Sequence, residues 1–246
     1  MIILIDGQEV KASSGETILS AARRAGIHIP TLCYHENFAG QGQGRCRLCL
    51  VEVEYQGVKR IVTSCTYPIT AQIKVRTSSL RIEQMRKNIV MLLYKQAPAS
   101  SLLQSMYCEY GCQENLLQDN PGEKCILCNL CVLACEEMGS SAISLIMRGT
   151  DKKVATPYDE AAQTCLGCAA CAAICPTQAI EVMERDGVRI IWNKEFKLLN
   201  CKHCGQPFAT EEQINFVDSK GNYSDMLHYC QNCRQKMAAR RIKDFR

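Results

Sequence analysis

The sequence predicts an α+β protein whose segments are set by cysteine more than by a large apolar core, and three observations carry that prediction. Of 246 residues, 18 are cysteine, and sixteen of those fall into four groups of four. Two hairpin patterns bracket one helical pattern near the N-terminus. Aromatic residues make up only 6%, with a single Trp, so large core fillers are scarce. The balance of 47% hydrophobic and 22% charged residues is that of a folded chain and excludes disorder as the main theme.

Residues 1–80 read as a small β-rich domain with one helix. Met1–Ile5 is an apolar strand, Asp6-Gly7 a hairpin turn, and Gln8–Lys11 the return strand. Ser13-x-x-Glu16 has the form of a capping box, and Ile18, Leu19, Ala22 and Ala25 follow at helical spacing up to Gly26. Leu50–Tyr55, Gln56-Gly57 and Val58–Thr63 form a second hairpin pattern, and Gln72–Val75 a last short strand. Residues 81–122 link the domains. They carry a helical stripe (Ile82, Met85, Ile89, Leu92, Leu93), read as plain packing, then an irregular piece with Cys108 and Cys112. Residues 123–190 hold two cysteine-rich stretches. Val188–Trp192 reads as a strand leading into residues 191–246, which end in a basic tail.

The opening Met1–Gly7 has neither the basic nor the apolar region of a signal peptide. The charge-free run 161–180 is long enough to span a bilayer, but four cysteines and a proline make it a poor membrane helix. The expectation is a soluble cytoplasmic protein without membrane contact. In a reducing compartment, cysteines at these spacings are metal ligands rather than disulfides. Sixteen bound thiolates and four metal groups of about two positive charges each would turn the formal +4 into about −4. The sequence pI near 8.2 is then a weak argument for nucleic acid.

Cys33-x12-Cys46-x2-Cys49-x15-Cys65 supplies the four thiolates of a [2Fe–2S] cluster. Gly40, Gly42 and Gly44 allow a tight loop whose N–H groups point inward; no helix follows, so this is not a dinucleotide loop. Cys46-x2-Cys49 is also a zinc knuckle, but Cys33 and Cys65 stand alone. Cys125-x2-Cys128-x2-Cys131-x3-Cys135 and Cys165-x2-Cys168-x2-Cys171-x3-Cys175-Pro176 are two copies of the bacterial [4Fe–4S] ferredoxin run. In two-cluster ferredoxins the fourth cysteine serves the other cluster. The expected sets are Cys125, Cys128, Cys131 and Cys175, and Cys165, Cys168, Cys171 and Cys135, with the clusters side by side. Cys135 is followed by Glu136-Glu137 rather than Pro, a pair read as a solvated helix face. Cys201-x2-Cys204 and Cys230-x2-Cys233 pair as a zinc-ribbon-like site, with rubredoxin-type iron as the alternative. His203 and His228 are read as exposed neighbours. The six basic residues after Cys230 (Arg234, Lys236, Arg240, Arg241, Lys243, Arg246) are read as a helix end or a dock for an acidic partner rather than a nucleic-acid contact.

The segments Ile29-Pro30-Thr31-Leu32-Cys33-Tyr34-His35, Cys46-Arg47-Leu48-Cys49-Leu50-Val51-Glu52-Val53 and Ser64-Cys65-Thr66 resemble the N-terminal ferredoxin domain of the complex I large iron–sulfur subunit. NAD-linked [FeFe]-hydrogenases and electron-bifurcating enzymes share that domain. The resemblance runs on through Cys135-Glu136-Glu137, Arg148-Gly149, Val154 and Thr156-Pro157, and implies a β-grasp ferredoxin fold for the first domain. That family usually carries a further [4Fe–4S] site on one His and three Cys between the domains. Here 94–113 has no His and only Cys108 and Cys112, so the site is expected to be lost.

No nucleotide loop, carboxylate pair or activated nucleophile occurs, so no catalytic centre is expected in this chain. The cluster set of one [2Fe–2S], two [4Fe–4S] and one zinc looks like the small iron–sulfur subunit of an electron-bifurcating transhydrogenase of the Stn type. The resemblance implies an electron-transfer subunit of a flavin-based NAD(P)-linked oxidoreductase coupling NADH, NADP and ferredoxin. The implied partners are a flavin-containing (FMN or FAD) NAD(H)-binding subunit, an NADP-binding flavoprotein subunit and soluble ferredoxin. A diaphorase-side subunit of an NAD-linked hydrogenase or formate dehydrogenase is the alternative. A redox-responsive nucleic-acid-binding regulator built on the zinc ribbon is the alternative of a different class.

Overall fold

Alternation of buried and exposed residues along Ile2–Ile5 (β1) and the Asp6-Gly7 turn, with φ of 49° and 85°, fold the chain back onto Gln8–Lys11 (β2). In the computed structural model, residues 1–38, 42–113, 120–221 and 226–244 are described, with side chains to residue 240. Gly40, Gln41 and Arg246 lie outside the described residues, as do the side chains of Arg241 and Lys243. The chain divides into two compact units, Met1–Cys131 with Ile174–Ala179, and Val132–Ala173 with Ile180–Arg246.

In the first unit, α1 (Ile18–Arg24) is capped by Thr17, whose side chain accepts from the Ser20 N–H. The expected capping box thus sits one turn early. Glu16 accepts the Ser13 N–H at 3.0 Å as such a box requires, but within the turn before the helix. Leu50–Tyr55 (β3) and Val58–Thr63 (β4) pair antiparallel around Gln56-Gly57, and Lys74–Arg76 (β5) completes a sheet of order β2-β1-β5-β3-β4. Only the β1–β5 pair is parallel, because the chain between them crosses over through α1 and the second hairpin. Ile3, Ile5, Val51, Val53 and Val75 pack with Ile18, Leu19 and Ala22, and Cys49 and Cys65 belong to this same core.

Next, α2 (Leu80–Gln96) buries Ile82, Arg86, Val90 and Leu93. The expected stripe is displaced: Leu92 is 52% exposed, and the buried face includes a charged residue. Arg86 donates to the carbonyls of Leu48, Leu50 and Thr77 at 3.1, 2.8 and 2.9 Å, which explains how its guanidinium is held inside. Then α3 (Ser101–Glu109) runs beside α2, with Tyr94 and Tyr107 4.4 Å apart between ring centres.

The boundary between units falls inside α4 (Leu130–Glu137). In the second unit, β6 (Ser144–Ile146) and β7 (Lys153–Ala155) form a two-stranded ribbon, and α5 (Ala170–Ala173) is a single turn. Strands β8 (Met183–Arg185), β9 (Val188–Ile191), β10 (Lys194–Asn200) and β11 (Pro207–Thr210) make an antiparallel sheet in that order. This sheet continues through residue 190, where the sequence suggested a domain boundary. Then α6 (Glu211–Lys220), capped by Thr210, and α7 (Gln231–Asp244) close the chain. No helix among the described residues is long and apolar enough to cross a membrane.

Candidate metal centres

Loop residues between α1 and β3, together with the turn after β4, bring Cys33, Cys46, Cys49 and Cys65 together, all buried. The strongest effects among the sulfurs run within two pairs, with weaker ones from Cys46 to Cys49 and from Cys33 to Cys65. The Cys33 thiol carries Cys46 down to about 6, and the Cys65 thiol carries Cys49 down to about 7; Cys33 and Cys65 themselves are pushed far up by those same neighbours and by burial. Two ligands per iron is the demand of a two-iron rhomb, whereas a single zinc needs four sulfurs in one tetrahedron. Among the described residues, no set of three of these four lies within single-ion reach. The Leu32 and Cys46 amides point at the Cys46 and Cys33 sulfurs, both at 3.4 Å, and the Gly44 amide at Cys65. A Cβ on Gly42 would lie 2.0 Å from the Cys65 carbonyl oxygen, so the loop closes only on glycine. Ser64 Oγ is fully buried without a hydrogen-bond partner, yet lies near enough to Cys49 to favour its thiolate; a sulfide or thiolate would satisfy it. These residues fit a [2Fe–2S] group.

The first unit also gathers Cys125, Cys128, Cys131 and Cys175 in spite of the long sequence gap. Cys175 acts electrostatically on both Cys125 and Cys128, and burial carries the Cys128 thiol up to about 11. Leu127 and Ala179 amides donate to the Cys125 and Cys175 sulfurs at 3.4 and 3.3 Å. The Asn129 amide donates to Gln43 Oε1 at 3.1 Å, tying this run to the loop of the first site, and Cys46 lies near enough to raise the Cys128 thiol.

The second unit holds Cys135 with Cys165, Cys168 and Cys171. All four line one small cavity, together with Ile143, Ile191 and Trp192. The Ala142 amide donates to Cys135 at 3.2 Å, and the Trp192 indole N–H to Cys171 at 3.5 Å. Burial carries the Cys171 thiol up to about 11, the Trp192 donor opposing it. The run is gripped from the sheet: Arg189 donates to the Gly167 carbonyl at 2.7 Å, Thr210 to the Leu166 carbonyl, and Lys194 to the Cys165 carbonyl at 3.1 Å. Four thiols around one cavity fit a [4Fe–4S] group. Sequence reasoning singled out all of these cysteines but missed Arg86, Arg189, Trp192, Lys194 and Thr210. Only Trp192, the lone Trp, offered any signal.

Cys201, Cys204, Cys230 and Cys233 place their sulfurs within 4.8 Å of one another, close enough for one metal ion. Burial raises Cys201, but amides of Cys230, Cys204 and His203 outweigh it and carry the thiol down to about 6. Burial and the three other thiols push Cys233 up to about 12. His203 Nδ1 lies 3.6 Å from Cys233 Sγ, beside the set. Cys108 is exposed on α3, and the Cys112 thiol lies 3.5 Å from the Lys87 carbonyl. Among the described residues no third ligand of a metal group joins this pair.

Residues 1–79 match the 2Fe-2S iron-sulfur cluster binding domain family, and residues 121–183 the 4Fe-4S dicluster domain family. The chain is 29% identical over 82% of its length to an NADH-quinone oxidoreductase subunit of Rhizobium meliloti. It is 31% identical over 73% to NADP-reducing hydrogenase subunit HndD of Solidesulfovibrio fructosivorans, and 32% over 71% to the alpha subunit of a Geobacter sulfurreducens NADPH-Fe(3+) oxidoreductase. It spans 26%, 36% and 23% of those proteins. A crystal structure of an NAD+-reducing [NiFe]-hydrogenase in the H2-reduced state superposes with a TM-score of 0.55 at 26% identity, covering 63% of this chain and 74% of that one. The chain thus carries matches to two iron–sulfur domain families and, over these stretches, is similar to subunits of an NADH-quinone oxidoreductase, an NADP-reducing hydrogenase and an NADPH-Fe(3+) oxidoreductase.

Proposed function

We propose that this chain is an electron-transfer iron–sulfur subunit of a flavin-based, NAD(P)-linked oxidoreductase complex. The observation that carries the reading is the sorting of twelve cysteines into one paired set and two crossed sets of four, with no other reactive constellation among the described residues. In this reading Cys33, Cys46, Cys49 and Cys65 hold a [2Fe–2S] cluster in a β-grasp domain. Cys125, Cys128, Cys131 and Cys175 hold one [4Fe–4S] cluster, and Cys135, Cys165, Cys168 and Cys171 a second. Cys201, Cys204, Cys230 and Cys233 hold zinc as a ribbon-like structural site. A bound cluster carries one electron at a time with little change in geometry. The residues of this chain bury the sulfurs, aim amide N–H groups at them and exclude water. The Asn129–Gln43 contact fastens the first two sites together.

The full complex we favour is an electron-bifurcating transhydrogenase, with a flavoprotein that takes NADH, an NADP-binding flavoprotein and ferredoxin as partners. The resemblance to hydrogenase subunits favours a second reading, the diaphorase side of an NAD-linked hydrogenase. The test is to purify the complex anaerobically, identify the co-purifying subunits and add NADH. A flavoprotein partner and NADH-dependent paramagnetic signals from this chain support the reading; no change in any cluster signal contradicts it. NADP reduction coupled to ferredoxin selects the transhydrogenase, and hydrogen uptake selects the alternative.

A further inference from the structure

Among the described residues, four hairpins close on two-residue turns. Three end in glycine at the second turn position: Asp6-Gly7, Gln56-Gly57 and Asp186-Gly187. The fourth, between β9 and β10, is Trp192-Asn193, with φ of 52° and 58°. A bulky side chain in the left-handed region costs on the order of 1 kcal/mol, and such an outlier persists only where the surroundings hold it. Here the strained turn aims the indole N–H at Cys171 Sγ, 3.5 Å away, and lays the ring along the cavity lined by Cys135, Cys165, Cys168 and Cys171. The next ordered cation is Lys194, two residues on. Its Nζ is fixed by the carbonyls of Ala162, Gln163 and Cys165 at 3.4, 3.2 and 3.1 Å, which holds an ammonium beside the Cys165 ligand.

The first [4Fe–4S] candidate is surrounded differently. Its neutral side-chain neighbour is Thr177, 3.6 Å from Cys175 Sγ, a counterpart to Trp192. The charge fixed beside this site has the opposite sign. Glu123 Oε1 accepts the Lys124 and Cys125 amides at 2.8 and 2.6 Å, which holds a carboxylate beside the Cys125 ligand. Glu136 and Glu137, beside Cys135, are exposed, so water and salt screen them.

We propose that Trp192 and Lys194 are the potential-setting residues of the Cys135–Cys165–Cys168–Cys171 site, and that they make it the easier of the two [4Fe–4S] sites to reduce. This rests on the reading that each set of four holds a cluster. Reduction adds one electron and one negative charge, with no bond made and no proton moved. An N–H donor and a nearby ammonium stabilise that added charge; a carboxylate opposes it. Of the two [4Fe–4S] sites, the one in the second unit would therefore hold the first added electron.

The test is an anaerobic mediator titration of the full chain with dithionite, followed by paramagnetic resonance and paired with iron analysis. Trp192→Phe should lower the reduction equilibrium constant of the higher-potential [4Fe–4S] step about threefold to tenfold, the worth of one hydrogen bond. Lys194→Gln should lower the same step about tenfold, Lys194→Arg should restore it, and Glu123→Gln should raise the other step. Because Trp192 is the only Trp, replacing tryptophan biosynthetically with benzothienylalanine removes the N–H while holding the ring's shape. That probe decides the matter should the Phe variant lose iron. Both Trp192 replacements leaving the higher step unmoved, or Trp192 and Lys194 variants moving the lower step, would overturn the proposal. Wild-type protein with no [4Fe–4S] signal at all would instead overturn the reading beneath it.

Discussion

The two cysteine runs share a backbone and differ in what surrounds it. Leu127 and Asn129 in the first run have φ of 55° and 75°; Gly167 and Ala169, at matching positions of the second, have φ of 64° and 59°. In both, an alanine amide beyond the last cysteine turns back onto its sulfur, Ala142 onto Cys135 and Ala179 onto Cys175. The spacing of the cysteines dictates that much. The exits diverge. Pro176 cannot continue a helix, so α5 stops after one turn, whereas Glu136 lets α4 run on to Glu137 and the return to Ala142 is three residues longer. The second run is also held from a sheet, by Arg189, Lys194 and Thr210, while the first is held by Glu123 and by Gln96 on the Cys125 carbonyl. A metal-binding pattern thus sets the wrap of the chain, and non-ligand residues set the field and rigidity of each site.

The largest effect should come from exchanging ligands across the comparison. Cys135→Ala and Cys175→Ala should each cost roughly four of about ten irons per chain. Cys135→Ala should abolish the reduction step that Trp192→Phe shifts, and Cys175→Ala should leave that step in place. If Cys135→Ala removes the other step, the crossed assignment is wrong.

Packing should separate the runs next. Gly167 lies against the buried Phe196, and a Cβ there would come within 2.5 Å of the ring. Gly167→Ala should destabilise the folded chain by about 2–3 kcal/mol, combining overlap with left-handed strain. Leu127→Gly, in the corresponding place, should be within about 1 kcal/mol of neutral, because relief of strain offsets added unfolded-state freedom. Denaturant unfolding under anaerobic conditions measures both; equal effects would erase the distinction.

Arg189→Met should cost about 2 kcal/mol by leaving the Gly167 carbonyl without its donor. It should also speed loss of the second cluster to a chelator without speeding loss of the first. Smallest of all, Pro176→Ala should change stability by less than about 1 kcal/mol, since Cys175 still fixes the chain end. A large loss of iron on Pro176→Ala would mean that the proline, not the cysteine, shapes the exit.

Much of this was legible in the sequence because cysteine spacing and turn chemistry are local signals. The hairpins at Asp6-Gly7 and Gln56-Gly57 follow from a few adjacent residues, and the Cys-x2-Cys runs mark the segments that gather thiols. What was not legible depends on distant partners. Arg86 sits on a helix that looks apolar, and its burial makes sense only once the Leu48, Leu50 and Thr77 carbonyls converge on it. Ser13-x-x-Glu16 has the form of a helix start, but Thr17 takes the cap, in a segment where it also bridges to Pro68. Trp192 and Lys194 carry no spacing signal at all; the β9–β10 turn alone delivers them to the second run.

The most direct test of the account is a metal, sulfide and spin count on anaerobically isolated full-length chain. Ligand arithmetic predicts about ten irons, about ten acid-labile sulfides and one zinc, with one two-iron and two four-iron signals after dithionite. Colourless protein carrying zinc alone, with no paramagnetic signal on reduction, would contradict it.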